Sequence, residues 1–265
     1  MTPTTAELPA RVAPTLAISQ CATLAWRGIV RIRHNPFALA DVILTPIIFL
    51  MLFVYVFGGA IAGSTEQYLQ FVMPGMLGLM ALFASMGIGV ALNQDLHKGV
   101  FDRIRTLPTV RIAPLVGVIG SDIVRQVIAI AVLYGFGTAL GFRAATPTPS
   151  VLAALVLTLA FALALSWVWV LLGLLLDSAQ AVQGLGALII FPLAFASNIF
   201  VPPETMPDWM QSIVAANPAG HLMDAVRGLL LGGPTAAPLT STAMWMLGFV
   251  AVFAPLSLLA YRRRP

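Results

Sequence analysis

Read for its hydrophobic and polar positions, the chain divides into long apolar runs separated by short polar breaks. The runs extend approximately over Leu39–Gly59, Leu69–Leu92, Ala113–Gly141, Val151–Leu176, Gln180–Phe200 and Ser241–Tyr261. Each approaches or exceeds the roughly 20 residues that a helix needs to cross about 30 Å of hydrocarbon. The pattern therefore predicts an all-α membrane protein with six transmembrane helices. The third run is longer than a bilayer requires, which would set its first turns, with Asp122 and Arg125, at the membrane surface. Only "DSAQ" joins the fourth and fifth runs, so they are expected to form a tight antiparallel pair.

Outside these runs three segments have patterns of their own. Residues 1–15 carry Pro3, Pro9 and Pro14 and read as a disordered tail without an apolar signal-peptide core. Residues 16–35 project as a two-faced helix, with Ile18, Ala22, Ala25, Ile29 and Ile32 opposite Gln20, Thr23, Arg27, Arg31 and His34. A basic amphipathic helix next to a span belongs in the membrane interface, and Pro36 stops it. The third segment, residues 201–233, is too polar to span yet carries Trp209, Met210, Ile213, Val214, Leu222, Val226 and Leu229 at helical spacing. Pro207 suits a first helical turn and Asn217-Pro218 breaks one short helix from the next. Two short outer helices, lying flat or re-entering, are expected between the fifth and sixth spans.

Composition agrees with the membrane reading. Of 265 residues, 59% are hydrophobic and 9% charged, whereas a soluble domain carries roughly 25% charged residues. Mean hydropathy is +0.95. The net charge of +4 matters less than its placement. Arg11, Arg27, Arg31, Arg33, Lys98, Arg103, Arg105, Arg111, Arg262, Arg263 and Arg264 fall on one side of the six spans. Arg143 and Arg227 fall on the other, and Arg125 stays inside the third run. The positive-inside rule then puts both termini in the cytosol of a multi-pass cell-membrane protein. It gives no support to a nucleic-acid partner.

Candidate chemistry changes this picture little. The one cysteine, Cys21, excludes an internal disulfide. His34, His97 and His221 lie in separate regions without metal-ligand spacing, so no metal site is expected. His221 and Asp224 are one turn apart, an acid–base spacing that is more often structural. Asp122 with Arg125, and Asp224 with Arg227, are three apart on a helix face and predict ion pairs within the membrane. No G-x-x-x-x-G-K-[ST] occurs, so the chain is read as no enzyme and as binding no cofactor itself. Any ATP would be bound by another polypeptide.

One island remains, "DLHKGVFDRIRTLPTVR", Asp95–Arg111, within the link 93–112. Leu96, Val100, Phe101 and Ile104 would form one apolar helical stripe, Gly99 would weaken it by about 1 kcal/mol, and Leu107-Pro108 would end it. Such a segment is either a docking helix or a solvated loop.

The run "MGIGVALNQDLHKGVFDRIRTLPTVRIAPLVGVIGSDIVR" resembles the cytosolic loop of ABC-2 type transporter permeases, in the daunorubicin-exporter (DrrB-like) branch. The matching positions are Gly87, Gly89, Asp95, Gly99-Val100, Asp102-Arg103, Arg105-Thr106-Leu107-Pro108, Asp122 and Arg125. The late segment is similar to the same family through Phe200, Val201, Pro202, Met206, Pro207, Trp209, Gln211, Asn217, Pro218, Arg227 and Gly232. The resemblance runs from about Leu16 and implies an ABC-2 transmembrane domain over 16–265.

It further implies that the 93–112 loop, with Asp95, Gly99, Val100, Asp102, Arg103, Arg105, Leu107 and Pro108, couples to a separate ATPase that binds ATP and Mg²⁺. Arg27 and Arg31 of the amphipathic helix would make a second contact, and the outer helices would cap the path. The expected assembly has two ATPase copies and a second permease, identical or homologous, in membrane lipid. Its cargo would be a hydrophobic or amphipathic substrate, a drug, an antibiotic or a lipid. In this reading cargo meets Phe49, Phe53, Tyr55, Met73, Met76, Met80, Phe191 and Phe195 of the first, second and fifth spans. Close-packed glycines, including Gly137-x-x-x-Gly141, would let helices shift as rigid bodies. The alternatives are an ion-coupled carrier or channel, which needs an ionisable relay at the midplane of these spans, and a membrane enzyme built on His97, His221 or Asp224.

Overall fold

The computed structural model describes residues 36–99 and 113–263, and in them the chain is helical throughout, without a strand. The helix expected over 16–35 and most of the island lie outside the described residues. Helix α1, Pro36–Leu52, continues through a π-helical turn, Phe53–Phe57, into the short α2, Gly58–Ala62. Gly63, at φ 73°, takes the left-handed conformation that ends the run. Ser64 then caps α3, Thr65–His97, by accepting a hydrogen bond from the backbone N–H of Gln67 at 3.2 Å. The hydroxyl at Ser64, not the first apolar residue at Leu69, therefore sets where this helix begins.

Helix α3 has 33 residues, about 50 Å at 1.5 Å per residue, and 67% of its apolar window is buried. It is the central post. Helix α4 (Ala113–Ala139), α5 (Thr148–Leu175) and α6 (Ala179–Phe195) pack around it, and α9 (Ala236–Arg263) lies outermost against α5. Between α6 and α9 come a 3₁₀ turn, Pro203–Thr205, then α7 (Asp208–Ala216) and α8 (Pro218–Leu231). Helix α8 is not a surface strap. Pro218, Ala219, Leu222, Met223, Ala225, Val226 and Leu230 are buried against α3, α5 and α9.

Among the described residues, five helical stretches are long and apolar enough to span a bilayer; α6, at 17 residues, is a shorter sixth apolar helix. The expected fifth span over Gln180–Phe200 thus stops early, at Phe195. The reason is visible at its end. The Asn217 amide donates to the carbonyls of Leu193, at 2.8 Å, and Ala196, while the Ser197 hydroxyl takes that of Ala194. The carbonyls that would have continued α6 are thereby occupied, and the chain turns back toward α8.

Two further expectations are corrected. The island does not begin a separate helix: Asp95, Leu96 and His97 are the last turn of α3, and Gly99 at φ 63° ends it. Leu96 thus belongs to α3, and the other positions of the expected stripe, Val100, Phe101 and Ile104, lie outside the described residues. Gly137 and Gly141 also do not form a helix-packing pair. Gly137 lies against the Met73 side chain, whereas Gly141, at φ 113°, is past the end of α4 and has open space where a Cβ would be.

Candidate functional site

At the end of the bundle where the island begins, a single face of α3 is keyed into α5. Ser85, Gly89 and Asn93 follow one another at four-residue spacing, so they stack along one side of the helix. The Trp169 indole N–H donates to the Ser85 hydroxyl at 2.8 Å, and that hydroxyl donates to the Leu82 carbonyl at 2.7 Å. One turn on, the backbones nearly touch. A Cβ on Gly89 would sit 2.5 Å from the Trp169 carbonyl oxygen, and one on Gly173 would sit 2.5 Å from that of Gly89. At the third step the Asn93 amide donates to the carbonyls of Gly173, at 3.1 Å, and Leu176, at 2.7 Å.

On the opposite flank of α3, Arg125 of α4 reaches into the notch left by Gly87 and donates to the Ala84 carbonyl at 2.6 Å. Its partner Asp122, 2.9 Å away, is 7% exposed and also accepts from the Gln126 amide. Asp122 is thus enclosed by protein, while the Arg125 side chain keeps 25% of its surface exposed. A carboxylate can be buried there because the Arg125 guanidinium and the Gln126 amide both face it.

The far end of α3 is locked to the returning segment. Arg227 pairs with Asp224 at 3.2 Å, donates to the Asn198 carbonyl at 2.9 Å and lies 4.7 Å from the centre of the Phe71 ring. The Asn198 amide donates to Asp224. Tyr68 donates to the Phe200 carbonyl at 3.3 Å, and Gly75 leaves room for the Ile199 backbone. Loop 140–147 is held the same way: Gln70 bridges Gly141 and Arg143, and Ala145 and Thr146 bond the last carbonyls of α8.

Between these two ends a closed circuit of phenylalanines lies on one flank. Phe49 of α1 meets Phe53 at 6.4 Å between ring centroids, and Phe53 stacks on Phe200 at 4.4 Å. The circuit continues through Phe195 at 5.3 Å, Phe191 at 6.0 Å, Phe83 at 6.0 Å and back to Phe49 at 6.5 Å. An α-helical step of four residues overshoots a full turn; the wider π-turn at Phe53–Phe57 takes back that advance and keeps Phe49, Phe53 and Phe57 on one line. Phe191 and Phe195 remain 50% and 58% exposed. Their faces are open to whatever lies beside the bundle.

The signature of the ABC-2 type transporter family matches residues 19–231. The chain belongs to that family. It is 41% identical over 258 residues to the daunorubicin resistance ABC transporter permease protein DrrB1 of Streptomyces coeruleorubidus, covering 97% of this chain and 90% of that one. It is 24% identical to a probable doxorubicin resistance ABC transporter permease protein DrrC of Mycobacterium tuberculosis, covering 83% and 80% of the two chains. It is 26% identical to the putative transport permease ycf38 of Cyanophora paradoxa, covering 80% and 74%. A permease of an ABC transporter is a membrane protein that works with an ATP-binding partner.

Against this ABC-2 permease the expected site residues sort by position. Asp122 with Arg125 is ion-paired beside the middle of α3, at Ala84 and Gly87, and Asp224 with Arg227 beside its first turns, at Phe71. Asp95 and Gly99 form the exit of α3, while Val100, Asp102, Arg103, Arg105, Leu107, Pro108, Arg27 and Arg31 fall outside the described residues. Phe49, Phe53, Phe191 and Phe195 come together in the circuit, and Tyr55 is exposed. Met73, Met76 and Met80 do not join them. They are buried in the core of this one chain, because α3 is enclosed on all sides at their level, so they face no open path in this conformation. Sequence reasoning missed Ser85, Asn93, Trp169 and Asn198. The available signal was the i, i+4, i+8 spacing of Ser85, Gly89 and Asn93 inside an otherwise apolar run.

Proposed function

We propose that this permease is the membrane subunit of an ATP-driven exporter that carries a hydrophobic or amphipathic compound of the drug or antibiotic kind out of the cell. The observation that carries the reading is the phenylalanine circuit. Phe53, Phe83 and Phe200 pack against the core, while Phe49, Phe191 and Phe195 stay exposed along α1 and α6, where flat apolar cargo or a second permease can meet them. Daunorubicin and doxorubicin, named in the relatives, are cargo of that shape and suit an aromatic surface. The second permease, a copy or a homologue, closes the path from the side of this flank, and two ATPase subunits dock on the part of the 93–112 link beyond His97 and on the helix bearing Arg27 and Arg31. That end of the bundle, with both termini, is cytosolic by its arginines. The re-entrant α8, tied down by Arg227 and Asn217, caps the outer end.

The test is transport of daunorubicin, followed by its fluorescence, into inside-out vesicles carrying the permease and its ATPase. Phe191→Ala and Phe195→Ala, which remove exposed rings and leave the core intact, should raise the apparent KM by about tenfold, a loss of roughly 1–1.5 kcal/mol of aromatic contact per ring. Unchanged KM in both variants, with uptake intact, would remove the circuit from the path.

A further inference from the structure

We propose that Asn93 is a positioning residue for energy coupling: it fastens the exit of α3, where the ATPase loop begins, to the link between α5 and α6. This rests on the reading of the 93–112 link, beyond the end of α3 at His97, as the ATPase contact. Asn93 is 1% exposed, and its amide holds both the Gly173 and Leu176 carbonyls. The last carbonyls of a helix have no partner within it, so these two bonds decide where α5 ends. Leu176 then turns to an extended conformation and α6 starts three residues later, capped by the Ser178 hydroxyl.

The other side of Asn93 is equally fixed. Its own carbonyl is 2.9 Å from the His97 ring nitrogen one turn on, and Gly99 in the left-handed region directs the chain into the loop. Above it, the Gly89–Gly173 contact leaves no room for either helix to slide past the other, and Ser85–Trp169 closes the seam. A push on the loop at Gly99 is thus delivered to α3, α5 and the first turn of α6 together. Helix α6 carries Phe191 and Phe195 into the circuit. Asn93 joins the loop that receives the stroke to the helix that meets cargo.

A leucine at 93 would fill the same space, and the asparagine here leaves its carbonyl oxygen buried without a hydrogen-bond partner among the described residues. Packing alone does not call for an amide here. Holding two carbonyls of a neighbouring helix does.

The experiment uses the permease with its co-purified ATPase in proteoliposomes, with daunorubicin as the probe. Asn93→Ala and Asn93→Leu should leave ATPase recruitment and ATP hydrolysis near native levels and lower transport per ATP by at least about fivefold, the scale of a modest coupling energy. Asn93→Gln, which keeps an amide donor, should recover part of the loss. Nitroxide labels at Lys98→Cys and Ala179→Cys, in a Cys21→Ser background, should hold one distance in the native chain with and without trapped nucleotide. In Asn93→Ala that distance should become nucleotide-dependent. Native labels that separate on nucleotide trapping would overturn the proposal, and they decide it even where an Asn93 variant fails to accumulate. Unchanged transport per ATP in Asn93→Ala, in a complex that otherwise couples, overturns this inference alone. A native chain that recruits no ATPase removes the coupling reading and the inference with it.

Discussion

At the residue scale the permease is held by small and amide side chains more than by its few charges. Gly173 and Gly89 permit backbone contact that lipid-soluble helices use in place of a hydrophobic driving force. Gly173→Ala would place a Cβ 2.5 Å from a carbonyl oxygen, and backbone cannot move aside cheaply. It should destabilise the detergent-solubilised protein by about 1–3 kcal/mol, seen as a lower midpoint in thermal unfolding. Gly135→Ala is the contrasting case: it lies within α4 and has nothing within 4 Å of a Cβ, so the same assay should show stabilisation of about 0.5–1 kcal/mol. Trp169→Phe keeps the ring's bulk and deletes the 2.8 Å bond to Ser85; a loss of about 0.6–1.7 kcal/mol is expected for a hydrogen bond inside a membrane protein. The ion pairs were legible because Asp and Arg three apart must share a helix face. Asn93 was not, since nothing in its own helix says which carbonyls it will meet 80 residues on.

At the element scale, polar caps decide where apolar runs become helices. Hydropathy located the long helices because burying or lipid-facing 20 apolar residues dominates any local preference. It misjudged the ends of two. Helix α3 starts four residues before Leu69 because Ser64 caps it, and α6 stops at Phe195 because Asn217, on another element, takes its terminal carbonyls. The first cause was written locally as Ser64-x-x-Gln67; the second required knowing that α8 folds back against α6. Asn217→Leu should free the Leu193 and Ala196 carbonyls and the Ala219 N–H together. Hydrogen exchange across 193–199 and 217–221 should rise with a local loss of about 1–3 kcal/mol, while exchange in α5 stays as it was. The π-turn at Phe53–Phe57 had no signature in the apolar pattern, which reads the same for α and π winding over five residues.

For the whole molecule, the architecture is one post, α3, with a lock at each end and an open aromatic flank between. Charge asymmetry and the two motif regions, read as a family resemblance, pointed to an ABC-2 permease, and the match over residues 19–231 establishes that family. Aromatic and methionine residues look alike as path candidates in sequence; in the structure Met73, Met76 and Met80 are buried, whereas Phe191 and Phe195 are exposed. The account as a whole turns on an external source of energy delivered to the loop after Gly99. The decisive measurement is daunorubicin accumulation in inside-out vesicles made with and without the ATPase that co-purifies with this chain. Accumulation that requires both ATP and that ATPase, and persists when ion gradients are collapsed, is the predicted result. Accumulation that proceeds without the ATPase and disappears with the proton or sodium gradient would contradict it and make the chain an ion-coupled carrier.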